Sequence, residues 1–136
     1  MKGWKTMYRK SGVVLFATAF FIFALVFSSC AASNGVDPVL TRARREHKLV
    51  MLELGSVGCI PCEEMRPVMD KLRADYKSKL EVLFIDVRKD HESARRFRVY
   101  MIPTQVFLDE NGKEFHRHLG YYSFGEIQAV LKKKGL

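Results

Sequence analysis

Little in this chain invites a crowded covalent or metal-built fold. It has three cysteines, one tryptophan and four prolines in 136 residues. Three cysteines exclude a disulfide-dense scaffold. With no second cysteine pair, and with His116 and His118 far along the chain on an expected strand, a four-ligand zinc site lacks its ligands. No acidic residue precedes Asp37, so Lys2, Lys5, Arg9 and Lys10 alone carry half of the formal net charge of +8. The remainder is an ordinary solvated surface. Its basic clusters, Arg42–Arg45 and Lys132–Lys134, fall on expected helix faces, and no nucleic-acid partner is expected. There is no internal repeat and no low-complexity stretch. An apolar fraction of 48% and ten phenylalanines argue for one well-packed domain, with no room for two.

What is present at the N-terminus is a targeting pattern. Residues 12–27 form sixteen uncharged positions broken only by Thr18, a length between a signal-peptide core and a full membrane span. Basic residues before this run and none directly after it place the N-terminus inside and the rest outside. The following Val26-Phe27-Ser28-Ser29-Cys30-Ala31-Ala32 resembles the lipobox of bacterial lipoproteins. That resemblance implies cleavage before Cys30 and lipid on its thiol, although Phe27 stands where that family usually carries leucine. An uncleaved anchor, or a cleaved signal with an incidental Cys30, would deliver the domain to the same side. The expected organisation is a signal or anchor over residues 1–30, a tether over 31–36 and a folded domain over 37–136. A lipid-bearing Cys30 would leave Cys59 and Cys62 as a closed pair. Six extended residues reach only roughly 20 Å, which suits partners in or near the membrane.

The domain reads as alternating helices and strands. Asp37 as N-cap and Pro38 in the first turn open a helix to about His47. Leu49–Leu52 is a continuous apolar run, the pattern of a strand covered on both faces. A helix follows from about Cys59 or Pro61 to Tyr76, with Met65, Met69, Leu72 and Tyr76 on one face and a bend expected at Pro67. Val82–Ile85 is a second strand, and 90–97 a short helix. Thr104–Leu108 and Glu114–Leu119 flank Asn111-Gly112, which favours a two-residue hairpin with positive φ at both positions. Ser123 and Glu126 fit a capping box opening the last helix. The order implies an α/β fold with a mixed central sheet and helices on both faces.

Cys59-Ile60-Pro61-Cys62 falls where the first strand gives way to a helix. Free N–H groups and the helix dipole favour an anion there, so Cys59 should have more thiolate character than a free cysteine, with Cys62 more shielded. An exposed attacker beside a buried resolver is what two-step thiol exchange needs. A structural disulfide is the alternative.

From about Val36 onward the chain resembles the thioredoxin-like family. The matching pieces are the strand Leu49–Leu54 with Glu53, the Cys59–Cys62 motif, Pro67, Ile102-Pro103-Thr104, Gly112 and Gly120. The resemblance implies a thioredoxin-like fold and a redox-active Cys59–Cys62 pair. It also implies a cis bond before Pro103, with Ile102 offering backbone groups to an extended substrate. Glu53 takes the place of a buried acid near the resolving cysteine. Desolvation of such an acid would let it exchange a proton near neutral pH. The chain departs from the family where Gly58 replaces tryptophan, Ile60 replaces glycine, Glu63 replaces lysine, and Val82 stands where a lysine neighbours the acid.

The expected function is thiol–disulfide exchange on exported proteins at the cell envelope, with the domain acting as a reductant fed by a membrane-embedded dithiol electron donor. No cofactor and no metal are expected. A peptide-binding or assembly module, and a disulfide donor or isomerase, are the alternatives.

Overall fold

The computed structural model describes residues 36–136. The expected signal or anchor, Cys30 and residues 31–35 of the tether lie outside the described residues. The elements are α1 (Val36–Arg45), β1 (Leu49–Gly55), α2 (Ile60–Asp75), β2 (Leu80–Asp86), α3 (His91–Arg96), β3 (Thr104–Leu108), β4 (Glu114–Leu119) and α4 (Phe124–Lys133). This is the expected order. Among the described residues, no helix is long and apolar enough to cross a membrane.

The four strands form one mixed sheet in the order β2-β1-β3-β4. β1 runs parallel to β2 and antiparallel to β3, and β3 runs antiparallel to β4. The two central strands, β1 and β3, are buried along their whole length, which is why β1 reads as an unbroken apolar run. Alternation along β1 sorts its side chains between two cores. Leu49 and Met51 pack with Met65, Met69 and Leu72 of α2, with Phe107, and with Ile127 and Leu131 of α4. Val50, Leu52 and Leu54 pack on the other face with Val36, Ala43, Ile85, Phe97 and Val106. Glu53 shares the parity of Met51 and therefore faces the α2 side.

Local signals are realised with two corrections. Asp90 caps α3, its Oδ1 accepting from Ser93 N at 2.8 Å, and Ser123 and Glu126 form the expected capping box of α4. Pro67 lies inside an unbroken α2. The first correction is that Asp37 sits within the first turn of α1 instead of capping it. Its Oδ1 accepts from Arg96 Nη1 at 2.6 Å, tying α1 to α3. The second is the hairpin. Only Gly112 has positive φ, at 80°, because Asp109 captures the loop. Its Oδ1 accepts from Asn111 N (3.0 Å) and Lys113 N (2.9 Å), while Asp109 N donates to Lys113 O (2.9 Å). An aspartate bonding its own turn selects a three-residue loop with a left-handed glycine over the two-residue form.

Candidate active site

β1 delivers the chain to the site at Gly55. Ser56, Val57 and Gly58 then turn it into α2, and Gly58 adopts φ of 79°, a conformation that side-chain-bearing residues rarely take. Cys59 is the N-cap of α2, in extended backbone, and Glu63 N donates to its carbonyl at 3.0 Å. Cys59 and Cys62 form a disulfide with Cα atoms 5.2 Å apart. The two sulfurs are unequal: Cys59 is half-buried, while Cys62 is 2% exposed one turn inside the helix. A partner in solution can therefore reach Cys59 and is shielded from Cys62.

Ile102-Pro103 is a cis peptide, as the motif implied. Leu54 pairs with Thr104 in the antiparallel register, which brings Pro103 opposite Gly55 at the cysteine end of the sheet. The segment is pinned from both sides: Thr104 Oγ1 donates to Met101 O at 2.6 Å, and Gly120 N donates to Pro103 O at 2.8 Å. Ile102 is half-buried beside it.

Glu53 is fully buried. Desolvation pushes its carboxyl up to about 7, and a hydrogen bond from Gln105 pulls weakly the other way. Val82 and Phe84 are the β2 residues on its face, so that strand gives the acid no cation. Gln105 Nε2 donates to Glu53 Oε1 at 3.3 Å and to Gly120 O at 3.1 Å. The sequence reading passed over Gln105. The available signal is a single carboxamide directly before the apolar run Val106–Leu108.

The other charged, aromatic and histidine side chains separate by geometry. Glu63 is ion-paired with Arg66, so part of the negative charge at the helix start is offset within that turn. Tyr121 and Tyr122 divide: Tyr122 enters the core, and Tyr121 stays about half exposed. His118 stacks on the Tyr122 ring with centroids 3.8 Å apart, and His116 Nε2 lies 3.0 Å from Tyr122 Oη. Burial, then the charges of His118 and Lys133, lower the His116 pKa. His91 is exposed at the start of α3. Among the described residues, no three potential metal ligands converge.

Most of the exposed large apolar side chains lie toward the redox end, while Tyr100 lines a hollow with Ala94, Arg95 and Val99. Ile60 is 76% exposed and Tyr100 92% exposed, with Val57, Met101, Leu119 and Tyr121 also open to solvent. Val57 and Ile60 flank the disulfide, Met101 precedes the cis peptide, and Leu119 pairs with Thr104.

A family model described as a thioredoxin-like domain matches residues 36–135. Thioredoxin-1 of Drosophila melanogaster is 41% identical over 66 residues, covering 48% of this chain and 62% of that protein. A thioredoxin of Staphylococcus aureus is 27% identical over 88 residues, covering 65% of this chain and 84% of that protein. Among solved structures, the germline-specific thioredoxin Deadhead of Drosophila melanogaster superposes with a TM-score of 0.63 at 30% identity. That match covers 76% of this chain and 97% of Deadhead. A thioredoxin from Nicotiana alata gives a TM-score of 0.63 at 28% identity, over 74% of this chain and 86% of its own.

Proposed function

The chain belongs to the thioredoxin-like domain family, and from that premise we propose that it reduces disulfides of exported proteins outside the cytoplasm. The thioredoxin relatives and the Cys59–Cys62 disulfide support a thioredoxin-like disulfide oxidoreductase. The observation that carries the reading is the inequality of the two sulfurs, one at the helix start and half-buried, the other sealed one turn inside.

The exchange balances as follows. The Cys59 thiolate attacks one sulfur of the substrate disulfide; that S–S bond breaks, a mixed disulfide forms, and the departing thiolate takes a proton from solvent. Cys62 then gives its proton to the Glu53 carboxylate and attacks Cys59 Sγ. The mixed disulfide breaks, the second substrate sulfur leaves as a thiolate and takes up the proton from Glu53 or one from solvent, and the pair ends oxidised, having delivered two electrons. A carboxyl with a pKa of about 7 can accept and return that proton at neutral pH. Ile102 and Pro103 present the backbone edge on which an extended substrate would lie, and the apolar rim from Val57 to Tyr121 supports contact with partly unfolded segments.

A reductant outside the cytoplasm must be recharged, and we assign that role to a membrane-embedded dithiol carrier. Three features support it. Val36 packs with Ile85 and lines a hollow with Asp86 and Asp90, so the chain enters the domain at the end of the sheet that bears Gly55 and the cysteines. Residues 31–35, if fully extended, would span at most roughly 18 Å from a lipidated Cys30. Pro61 beside Cys62 fits a reducing pair.

Equilibration with a glutathione or dithiol buffer tests this. The expected potential lies nearer to about −270 mV than to about −120 mV, with the pair held as thiols in cells. A potential above about −180 mV and a pair oxidised at rest would make the protein a disulfide donor or isomerase. The apolar rim also fits a second reading, a peptide-binding or assembly module. Cys62→Ser separates the two: trapped partners released by reduction support exchange. Unaltered partner binding with both cysteines removed supports the module.

A further inference from the structure

Gln105 is a fully buried carboxamide at the centre of the sheet, and the exchange described above makes no use of it. The register places it in a row across the α2-facing side: Phe84 on β2, Glu53 on β1, Gln105 on β3 and His118 on β4. Its amide nitrogen is shared between Glu53 Oε1 at 3.3 Å and Gly120 O at 3.1 Å. Gly120 N in turn donates to Pro103 O at 2.8 Å. Hydrogen bonds therefore link the buried carboxyl, through the Gln105 side chain and the two adjacent peptide groups that meet at Gly120, to the cis-proline at the substrate edge.

The chemistry of that clamp is one-sided. An amide N–H donates to a carboxylate and favours its charged form. Among the described residues, Glu53 Oε2 and Gln105 Oε1 are buried without a hydrogen-bond partner, so the Nε2 bond is the one hydrogen bond the acid receives there. The other groups on this face are Val82 and Phe84 of β2, Cys62 and Met65 of α2, Phe107 of β3, His116 and His118 of β4, and Tyr122; Arg66 and Arg73 of α2 line a hollow with Phe84 at its edge, where Arg73 Nη2 donates to Val82 O at 3.2 Å and not to Glu53. His118 ends its row bonded through Nε2 to Tyr121 O.

We infer that Gln105 is a positioning residue: it fixes the Glu53 carboxyl in the core, supplies the hydrogen bond its charged form depends on, and ties its charge state to the Gly120–Pro103 backbone. It acts through Glu53 and touches no substrate. The consequence for turnover rests on the proton transfer proposed above, but the coupling itself can be read without turnover.

The test uses the full-length protein in detergent, in its disulfide form so that neither cysteine titrates, with carbon-13 on glutamate carboxyls and nitrogen-15 on the backbone. In the unsubstituted protein the Glu53 carboxyl and the Gly120 amide should titrate together, with a midpoint of about 7. Gln105→Met should tighten proton binding at Glu53 by about tenfold and remove the titration from Gly120. Glu53→Gln should abolish both signals, and His118→Gln should leave both in place. A Gln105→Met protein with an unmoved midpoint, or with Gly120 still following the acid, overturns the inference. Should that variant not fold, Gln105→Asn, one methylene too short to bridge, is judged by the same two readouts. A pair found oxidised at rest would overturn the proposed direction of electron flow and leave these titrations unchanged.

Discussion

Gly55 and Cys62 meet so closely that a side chain on the glycine would crowd the buried cysteine. A Cβ there would stand 3.0 Å from Cys62 Sγ and 3.2 Å from both Cys62 Cβ and Phe84 Cε2. The φ of Gly55 is ordinary, so space and not backbone conformation demands the glycine. This close approach seats α2 on the end of β1 and thereby holds the buried sulfur against the sheet. Gly55→Ala should destabilise the domain by roughly 1–3 kcal/mol, the usual range for overpacking a filled core. Thermal or denaturant unfolding of the oxidised protein reads this. An unchanged midpoint would mean that the start of α2 yields without cost.

The inequality of the cysteines predicts unequal chemistry. In the reduced protein at mildly acidic pH, a short alkylation pulse should label Cys59 on the order of tenfold faster than Cys62. Access and the helix-start position both act in that direction. Peptide mapping gives the ratio. Equal labelling, or faster labelling of Cys62, would reverse the roles of attacker and resolver.

The sequence shows the architecture more readily than the wiring of the site. β1 was legible because both its faces are covered, which leaves no polar alternation to confuse with a surface strand. The ends of α3 and α4 were legible because Asp90 and Ser123 cap them through local bonds. The Asn111-Gly112 turn misled because a neighbouring side chain, Asp109, outcompetes the local preference of the dipeptide. Gln105 was invisible because its meaning lies 52 positions away in Glu53, and only strand register brings the two together. Gly58 read merely as a missing tryptophan, whereas its φ of 79° shows a backbone path suited to glycine. Tyr121 and Tyr122 are adjacent in sequence yet part between surface and core, which composition does not distinguish.

The anchor has a direct chemical test. Cys30 follows Phe27-Ser28-Ser29 after the apolar run, so Cys30→Ala should block signal processing and change the membrane-bound form. Intact-mass measurement of the membrane fraction should show, for the unsubstituted protein, a mature chain beginning at Cys30 with added acyl mass. A mature species that starts elsewhere without acyl mass would rule out lipidation.

The buried acid predicts a specific dependence of stability on pH. Glu53 titrates at about 7 in the folded protein against 4.5 for the unperturbed group, because burial disfavours its charge. Between these values the folded state holds a proton that the unfolded state has released. The stability linked to this group is therefore complete below about pH 4.5 and is lost as pH rises through 7. Glu53→Gln removes that slope. The variant should match the unsubstituted protein near pH 4 and exceed it by about 3 kcal/mol above pH 7. Other shifted groups cancel in the comparison. The Asp90, Asp109 and Glu114 carboxyls are held low by hydrogen bonds from Ser93, Lys113 and Arg117, and the His116 ring is held low by burial, in both proteins alike. Unfolding curves that stay parallel across pH 4 to 8 would show that Glu53 is charged in the fold. If Glu53 is the base proposed above, the same variant should also be slow where the parent is fast: Cys62 should lose its proton less readily, and the mixed disulfide on Cys59 should accumulate. A stabilised protein with delayed resolution would identify Glu53 as an acid kept at a cost in stability for the sake of the proton it moves.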